Sequence, residues 1–522
     1  MSFLLAAVLM LQTAPASGSI SGTVVLAASQ TQTPVTAARV ELTGGPMLPQ
    51  IIRTDGEGRF LFENLSPGSY RLLVSKDSFI RQEFAKRAAI VIKPGVAHKP
   101  VIIAMEPAPT IAGHIQNESG EPVANILVQA LKGVYGADGK RSFTPFAATL
   151  SDDRGEYRLY WLDPGEYVIA ASFVAAVKTP GNPIYGVPQI VYAPTFYPGA
   201  PDLANAQRIT LKPDQNDLTR DFRLVKAPVV SVRGSTITRE NRRAPLVTVT
   251  LTMAGDSTGA ARYTARSNED GLFEIKNVAP GNYIATTETV IGTERYAAAR
   301  HIVIYDRDEN NVGLILSPGI PVSGRIAPDS ADPVSLKSTR AQLISSDPFM
   351  ESFPTIGMQQ NGQFTIRNVQ PGTYSLEITG IPDDLYIRSE RSGQTSFMGS
   401  AFALAWDSPA SLEILLASDG GQIHGTVVDG DAKAFAGARV ALVPAGARRD
   451  RPDQYRTASS NEEGQFHLRG IPPGEYQLFA WDNVEENAWL NADFMRRFLD
   501  AGVSITIEEK ANGMVQIPLI PK

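Results

Sequence analysis

A thirteen-residue pattern is written into the 522-residue chain five times. It reads GRFLFENLSPGSY to Tyr70, GEYRLYWLDPGEY to Tyr167, GLFEIKNVAPGNY to Tyr283, GQFTIRNVQPGTY to Tyr374 and GQFHLRGIPPGEY to Tyr476. The leading glycines, Gly58, Gly155, Gly271, Gly362 and Gly464, each stand nine positions before the proline of their own Pro-Gly pair. Two residues after each comes an aromatic: Phe60, Tyr157, Phe273, Phe364 and Phe466. Spacing inside the pattern never changes, whereas successive closing tyrosines lie between 91 and 116 residues apart. A rigid local unit inside a domain of variable loops produces that contrast.

Local stereochemistry accounts for each position. Apolar side chains alternate (Phe60 and Phe62, Tyr157 and Leu159, Phe273 and Ile275, Phe364 and Ile366, Phe466 and Leu468), the period of a strand with one buried face. The leading glycine, flanked by Asp, Asn or Glu, supplies φ > 0 for a tight hairpin turn. Pro67 and Gly68, Pro164 and Gly165, Pro280 and Gly281, Pro371 and Gly372, and Pro473 and Gly474 fit the central places of a type II turn, glycine taking the positive φ. Alternation then resumes, as in Tyr70, Leu72 and Val74. The closing Tyr70, Tyr167, Tyr283, Tyr374 and Tyr476 suit the corner tyrosine of a Greek-key sandwich, ring in the core and hydroxyl on backbone.

Around each copy the remaining segments supply further strands. Units open with ISGTVV from Ile20, IAGHI from Ile111, a looser VSVRGSTI from Val230, VSGRI from Val322 and IHGTVV from Ile423. A second strand is clearest in ARVELTG from Ala38 and ARVALVP from Ala438, and two more close each unit. About seven short strands per unit predict an all-β chain of five tandem seven-stranded Greek-key sandwiches, immunoglobulin-like or transthyretin-like, with one short helix in the last. The expected limits are 17–106, 107–227, 228–318, 319–419 and 420–522, after a signal peptide over 1–16. The Pro/Gly-rich links EPAPT, VKAP, SPGIP and ASDGG are short enough to restrain neighbouring modules. Placed end to end, five such modules would make a rod of roughly 150–200 Å.

Composition narrows the setting. The apolar run from Phe3 to Leu11, then Ala14-Pro15-Ala16, reads as an export signal with a small-x-small cleavage site. Nothing later is long and apolar enough to span a bilayer as a helix. The chain has no cysteine, so its cores must hold by packing alone, and a net charge of −6 without basic clusters gives no support for nucleic-acid binding. A secreted, periplasmic or outer-surface protein of a bacterial envelope is the expected setting.

The segments SGTVV, ARVEL and TDGEGRFLFENLSPGSYRLLV resemble the carboxypeptidase regulatory-like domain. The resemblance implies a transthyretin-like or prealbumin-like sandwich, is strongest in the first and fifth units and weakest in the fourth. The last unit is also similar to C-terminal modules of exported bacterial proteins built from such repeats. In that family the module accompanies a zinc peptidase, an outer-membrane receptor barrel or a surface adhesin, and no companion of that kind is visible here.

No catalytic constellation emerges. His98, His114, His301, His424 and His467 are scattered, none with the H-x-x-E or H-E-x-x-H spacing of a zinc peptidase, so no metal and no cofactor is expected. GDSTG, Gly255 to Gly259, has the outline of a nucleophile elbow but lies between strand-like segments, where that motif needs a departing helix. Asp152-Asp153 lies in the repeated turn, where Asp serves turn geometry, and DRDEN, Asp306 to Asn310, reads as a solvated loop without the oxygen spacing of a calcium loop. Asn483 to Gly502 carries helix start and stop signals, and Trp489, Phe494 and Phe498 share one face, which suits a short helix covering the last sandwich. Trp161, Trp406 and Trp481 are expected to be packed.

The reading is a non-enzymatic extracytoplasmic binding or scaffold protein whose variable loops recognise carbohydrate or a protein partner at the envelope. An accessory subunit of an outer-membrane transport or polysaccharide-uptake system is the alternative, and a peptidase or other hydrolase the third reading. Two insertions of the second unit, Lys132 to Phe146 and Lys178 to Leu203, are the expected contact regions, with Tyr185, Tyr192, Phe196 and Tyr197 as contact residues.

Overall fold

The computed structural model describes residues 18–521, apart from 28–31, 47, 85–88, 95–97, 174–190, 193, 202, 214, 216–217, 225, 228, 254–261, 293, 331–333, 347–353 and 406–409. The expected signal peptide, Tyr185, Trp406 and the GDSTG segment lie outside the described residues. The chain is all-β, in five tandem two-sheet sandwiches, with one short helix in the last.

The opening strand of each module lies at the centre of one sheet. Gly18–Leu26 pairs antiparallel with Arg59–Leu65 on one side and parallel with Val101–Met105 on the other. Val230–Thr238, Ile320–Pro328 and Gly421–Val428 repeat this arrangement with their own motif strand and last strand. Ile111–Gln116 does so too, with its parallel partner split into Leu218–Thr219 and Phe222–Arg223. The second sheet of the first module centres on Arg39–Gly44, antiparallel to Gln50–Arg53 and Gly68–Ser75. Among the described residues the third and fifth modules have seven strands, whereas the first, second and fourth have more because edge strands are interrupted or added.

The repeated motif joins the two sheets and is therefore an arch, not a hairpin. The strand before Pro-Gly belongs to the first sheet and the strand after it to the second. Its turn chemistry also differs from a type II turn. Gly165, Gly281 and Gly474 have φ of 147°, 157° and 148°, and Gly68 and Gly372 are not at positive φ. The left-handed residue stands three positions before the proline: Asn64 (58°), Trp161 (57°), Asn277 (59°), Asn368 (62°) and Gly470 (56°). In four modules the ladder slips by a residue here, as between Gly18/Leu65 and Ile20/Phe62, the mark of a β-bulge. Bulge geometry wins because the last motif strand must leave one sheet and aim the chain at the other. The leading glycine does take a positive φ, between 72° and 77° in all five copies.

Five separate hydrophobic cores result, each containing its own closing tyrosine. Each tyrosine is essentially inaccessible, and its hydroxyl donates to the carbonyl four residues back: Tyr70 to Ser66 at 2.8 Å, Tyr167 to Asp163 at 2.9 Å, Tyr283 to Ala279 at 2.9 Å, Tyr374 to Gln370 at 2.8 Å and Tyr476 to Pro472 at 2.7 Å. The motif aromatic lies across the glycine of the opening strand. Phe60 is the cross-strand partner of Gly22, and a Cβ there would stand 2.6 Å from its Cζ; Phe466 and Gly425 repeat the pair at 2.2 Å.

In the fifth module a second apolar cluster lies on the outer face of Arg439–Pro444 and Gly474–Trp481. Ala488–Leu490, the helix Ala492–Met495 and Arg496–Ala501 cover it, placing Trp489, Phe494 and Phe498 against Phe479 and Trp481. Asn491 caps this helix, its side chain accepting from the Phe494 N–H at 2.9 Å.

The chain doubles back, so the extended rod does not form. The hairpin of Ile126–Tyr135 and Arg141–Leu150 in the second module reaches that helical cover. Tyr135 meets Phe494 edge-on at 6.0 Å, and the Asn491 side chain donates to the Gly139 carbonyl at 2.9 Å. His98 of the first module lies 3.5 Å from Glu462 of the fifth.

Two expectations follow from these contacts. Tyr70→Phe strands the Ser66 carbonyl inside the arch, which costs about 1–2 kcal/mol. Calorimetry of the full chain is expected to show one transition moving down while the others stay in place. At Gly139, φ is 72° and a Cβ would stand 2.7 Å from both Cβ and O of Leu490. Gly139→Val therefore undocks the hairpin, and small-angle scattering is expected to report a larger radius of gyration than for the native chain.

Candidate binding site

The repeated motif is occupied by its own module. Its closing tyrosine hydroxyls serve backbone, the aromatics two residues after the leading glycines lie in cores, and its turn carboxylates and amides accept from nearby N–H groups. Asp55 Oδ1 accepts from Glu57 and Arg59, Asp152 Oδ1 from Arg154 and Glu156, and Asn461 Oδ1 from Glu463 and Gln465. Those backbone N–H groups, the Arg59 amide foremost, hold the Asp55 carboxyl below its ordinary range. Burial pushes the Tyr157 and Tyr167 hydroxyls well up, as suits neutral structural groups.

The second-module aromatics expected to make contacts are packed inward instead. Tyr192 and Tyr197 lie half-buried against that module's core, with the Tyr197 ring 5.7 Å from Phe222 and the Arg220 guanidinium 5.6 Å from its face. Phe196 is half-buried in a short strand paired with Gly165–Phe173. The insertion Lys132 to Phe146 forms the hairpin that docks on the fifth module, so its tip is already engaged. Trp161, expected to be packed, is 56% exposed.

The histidines do not converge on a site. His114 approaches Asp221 at 3.2 Å and Glu156 at 4.0 Å on an exposed sheet surface, and His424 and His467 stack as cross-strand neighbours at 4.0 Å. Among the described residues no three His, Cys, Asp or Glu side chains are placed to hold a metal ion. In the DRDEN segment, Asp308 accepts from the Ser231 N–H at 2.8 Å and from Arg233 at 2.9 Å, so the carboxylate is already engaged.

The fourth module carries an open polar face. Its first sheet has five strands where the first, third and fifth modules have three. The extra strands, Tyr386–Ser392 and Thr395–Ser396, extend the sheet beyond Ser411–Ala417. On the outer face the register sets Gln363, Arg325, Glu413 and Arg391 side by side on four adjacent strands, with Thr365, Ser323 and Ser411 in the next row. Arg325, Glu413 and Arg391 are exposed, and none has an ion-pair partner within 4 Å among the described residues. A cleft of about 870 Å³ runs over these residues. Two guanidiniums, a carboxylate and a row of hydroxyls suit a polar, hydrogen-bonding ligand, because exposed charges with no partner are not neutralised within the protein.

Comparison with known proteins places part of the chain. Residues 19–99 and 422–484 match the carboxypeptidase regulatory-like domain. The two matched segments fall in the first and last modules. Colossin-A of Dictyostelium discoideum is 21% identical over 377 residues, which is 66% of this chain but 3% of that much longer protein. Among solved structures, a streptococcal ancillary pilin is 12% identical, covering 56% of this chain and 100% of its own, with a TM-score of 0.21. Two B repeats of the collagen-binding protein of Staphylococcus aureus are 11% identical, covering 78% and 100%, with a TM-score of 0.14. Superpositions this loose say nothing about function.

The fifth module is fastened to the fourth by two guanidiniums, of which Arg469 donates to Asp384 at 3.0 Å and to Asp383 at 3.3 Å. Arg456 donates to five carbonyls, those of Arg469, Asp453, Tyr455, Gly470 and, across the junction, Leu385. Nearby, the Glu390 carboxyl is 5% exposed and accepts from the Gly399 N–H at 3.1 Å. Desolvation raises its pKa, and Asp453 adds to the shift, against the Gly399 bond and Arg451. A folded-state pKa above the unfolded value means full stability below the unfolded value, about 4.3, and loss as pH rises through the folded one. Glu390→Gln is therefore expected to raise the unfolding midpoint at pH 7 and to lose that advantage near pH 4, read by denaturation at both pH values.

Proposed function

We propose that this chain is a non-enzymatic extracytoplasmic binding and scaffold protein whose ligand is a polysaccharide or protein of the cell envelope. One observation carries the reading: in every copy the closing tyrosine and the aromatic after the leading glycine are turned inward, while module-specific faces stay open, among them the fourth module's Arg325–Glu413–Arg391 row. Recognition on surfaces that vary over a common sandwich is how such scaffolds diversify. No helix among the described residues is long and apolar enough to cross a membrane. Module limits at 106/107, 227/228, 318/319 and 419/420 complete the proposal.

The test uses the purified full chain. It is expected to sediment with isolated bacterial envelopes, and Arg325→Ala/Arg391→Ala is expected to reduce retention at least fivefold at low salt, with a smaller effect at high salt. Recovery in a stable complex with a membrane transporter would favour the accessory-subunit alternative. Metal-dependent turnover in a hydrolase panel would overturn the proposal.

A further inference from the structure

The second module breaks the motif at one point, and does so at a structural cost. The residue three positions before the proline is left-handed in every copy, a conformation that Asn64, Asn277, Asn368 and Gly470 accept readily in the other four. Here the residue is Trp161, at φ 57°. A bulky side chain in this region is a genuine outlier, and such strain persists where something else requires it. Burial does not supply the reason, since the Trp161 ring is 56% exposed. The residue before it, Tyr160, is 52% exposed and stands where the other copies carry Glu63, Lys276, Arg367 and Arg469. A charged position and one held elsewhere by asparagine or glycine have thus become an exposed aromatic pair in one module alone.

The pair has a defined geometry. The ring centroids are 6.3 Å apart, the planes are inclined at 47°, and the Arg158 guanidinium lies 5.4 Å from the Tyr160 centroid. Just beyond it, the Leu162 N–H donates to the Pro109 carbonyl of the inter-module link at 3.1 Å, which anchors the backbone on which the rings are displayed. In the fifth module the equivalent bulge is covered by the fourth, where a Cβ on Gly470 would stand 2.4 Å from the Asp383 carbonyl oxygen. Among the described residues no neighbouring module covers the pair in this way.

We propose that Tyr160 and Trp161 form a carbohydrate-binding platform on which one pyranose ring of a polysaccharide stacks its C–H face, with Arg158 donating to a ring substituent. Area selects the occupant. Two half-exposed rings offer on the order of 200 Å², far short of the ~800 Å² per partner that a stable protein interface buries. A single sugar ring matches two neighbouring aromatics, whose electron-rich faces attract its C–H groups. This inference rests on the envelope-binding reading and narrows it to one site and one ligand class.

The full chain is titrated with a panel of neutral and acidic hexasaccharides, following tryptophan emission. Trp481 and Trp489 are 2% and 3% exposed, so among the described tryptophans the accessible indole is Trp161. At least one hexasaccharide is expected to shift and quench the emission. Trp161→Asn is expected to abolish that response, and Tyr160→Ala to weaken affinity at least tenfold, measured by calorimetric titration so that loss of the fluorophore is not mistaken for loss of binding. Trp161→Asn restores the residue used by three other copies, so its unfolding midpoint is expected at or above that of the native chain. A lower midpoint would make Trp161 structural and overturn the inference, as would undiminished calorimetric binding by either variant or no response to any saccharide. Should envelopes still retain Trp161→Asn as well as the native chain, the platform falls while the envelope-binding reading stands.

Discussion

A buried tyrosine hydroxyl bonded to the carbonyl four residues earlier holds each module together. The bond closes the arch over which the chain passes from one sheet to the other, at the place where ladder hydrogen bonds cannot serve. Its ring fills the centre of the core, while the motif aromatic lies on a glycine of the opening strand and fixes the register of the first sheet. With polar and apolar demands met inside some 13 residues, each module closes around its own core and needs nothing from its neighbours. Tandem repetition follows directly, without disulfides, in a chain that has no cysteine.

Because the arch is self-sufficient, the rest of each module is free to diverge. The fourth sends Tyr386–Ser392 to the edge of its first sheet and widens that face. The second extends a hairpin as far as the fifth module, and the fifth answers with a helical cover whose outer residues receive it. Arg456, bonded to five carbonyls, secures the junction of the fourth and fifth modules. These devices turn a string of independent beads into a chain that folds back on itself.

Much of this was legible in the residues. Alternation of apolar side chains marked the strands, invariant spacing marked the repeat, and the closing tyrosine marked the corner, because all three depend on contacts within a few residues. The turn was misread for a physical reason. Pro-Gly fits a type II turn locally, but a strand that must change sheets needs a bulge, and the left-handed place moved back to Asn64 and its counterparts. Tyr192 and Tyr197 suggested a display surface through composition, yet their own core had room for them. Trp161 went the other way: at the left-handed position before the proline its ring is displayed, and that follows only once the arch is located.

Sequence alone determined the number of modules, their β architecture and the inward destination of the five tyrosines, since these rest on short-range periodicity and turn chemistry. Tertiary structure decided which surfaces stay open: the docking of the second module on the fifth, the widened sheet of the fourth, and the exposure of Tyr160 and Trp161. Those outcomes depend on contacts between residues tens to hundreds of positions apart, and no local pattern records which of two apolar surfaces will find a partner.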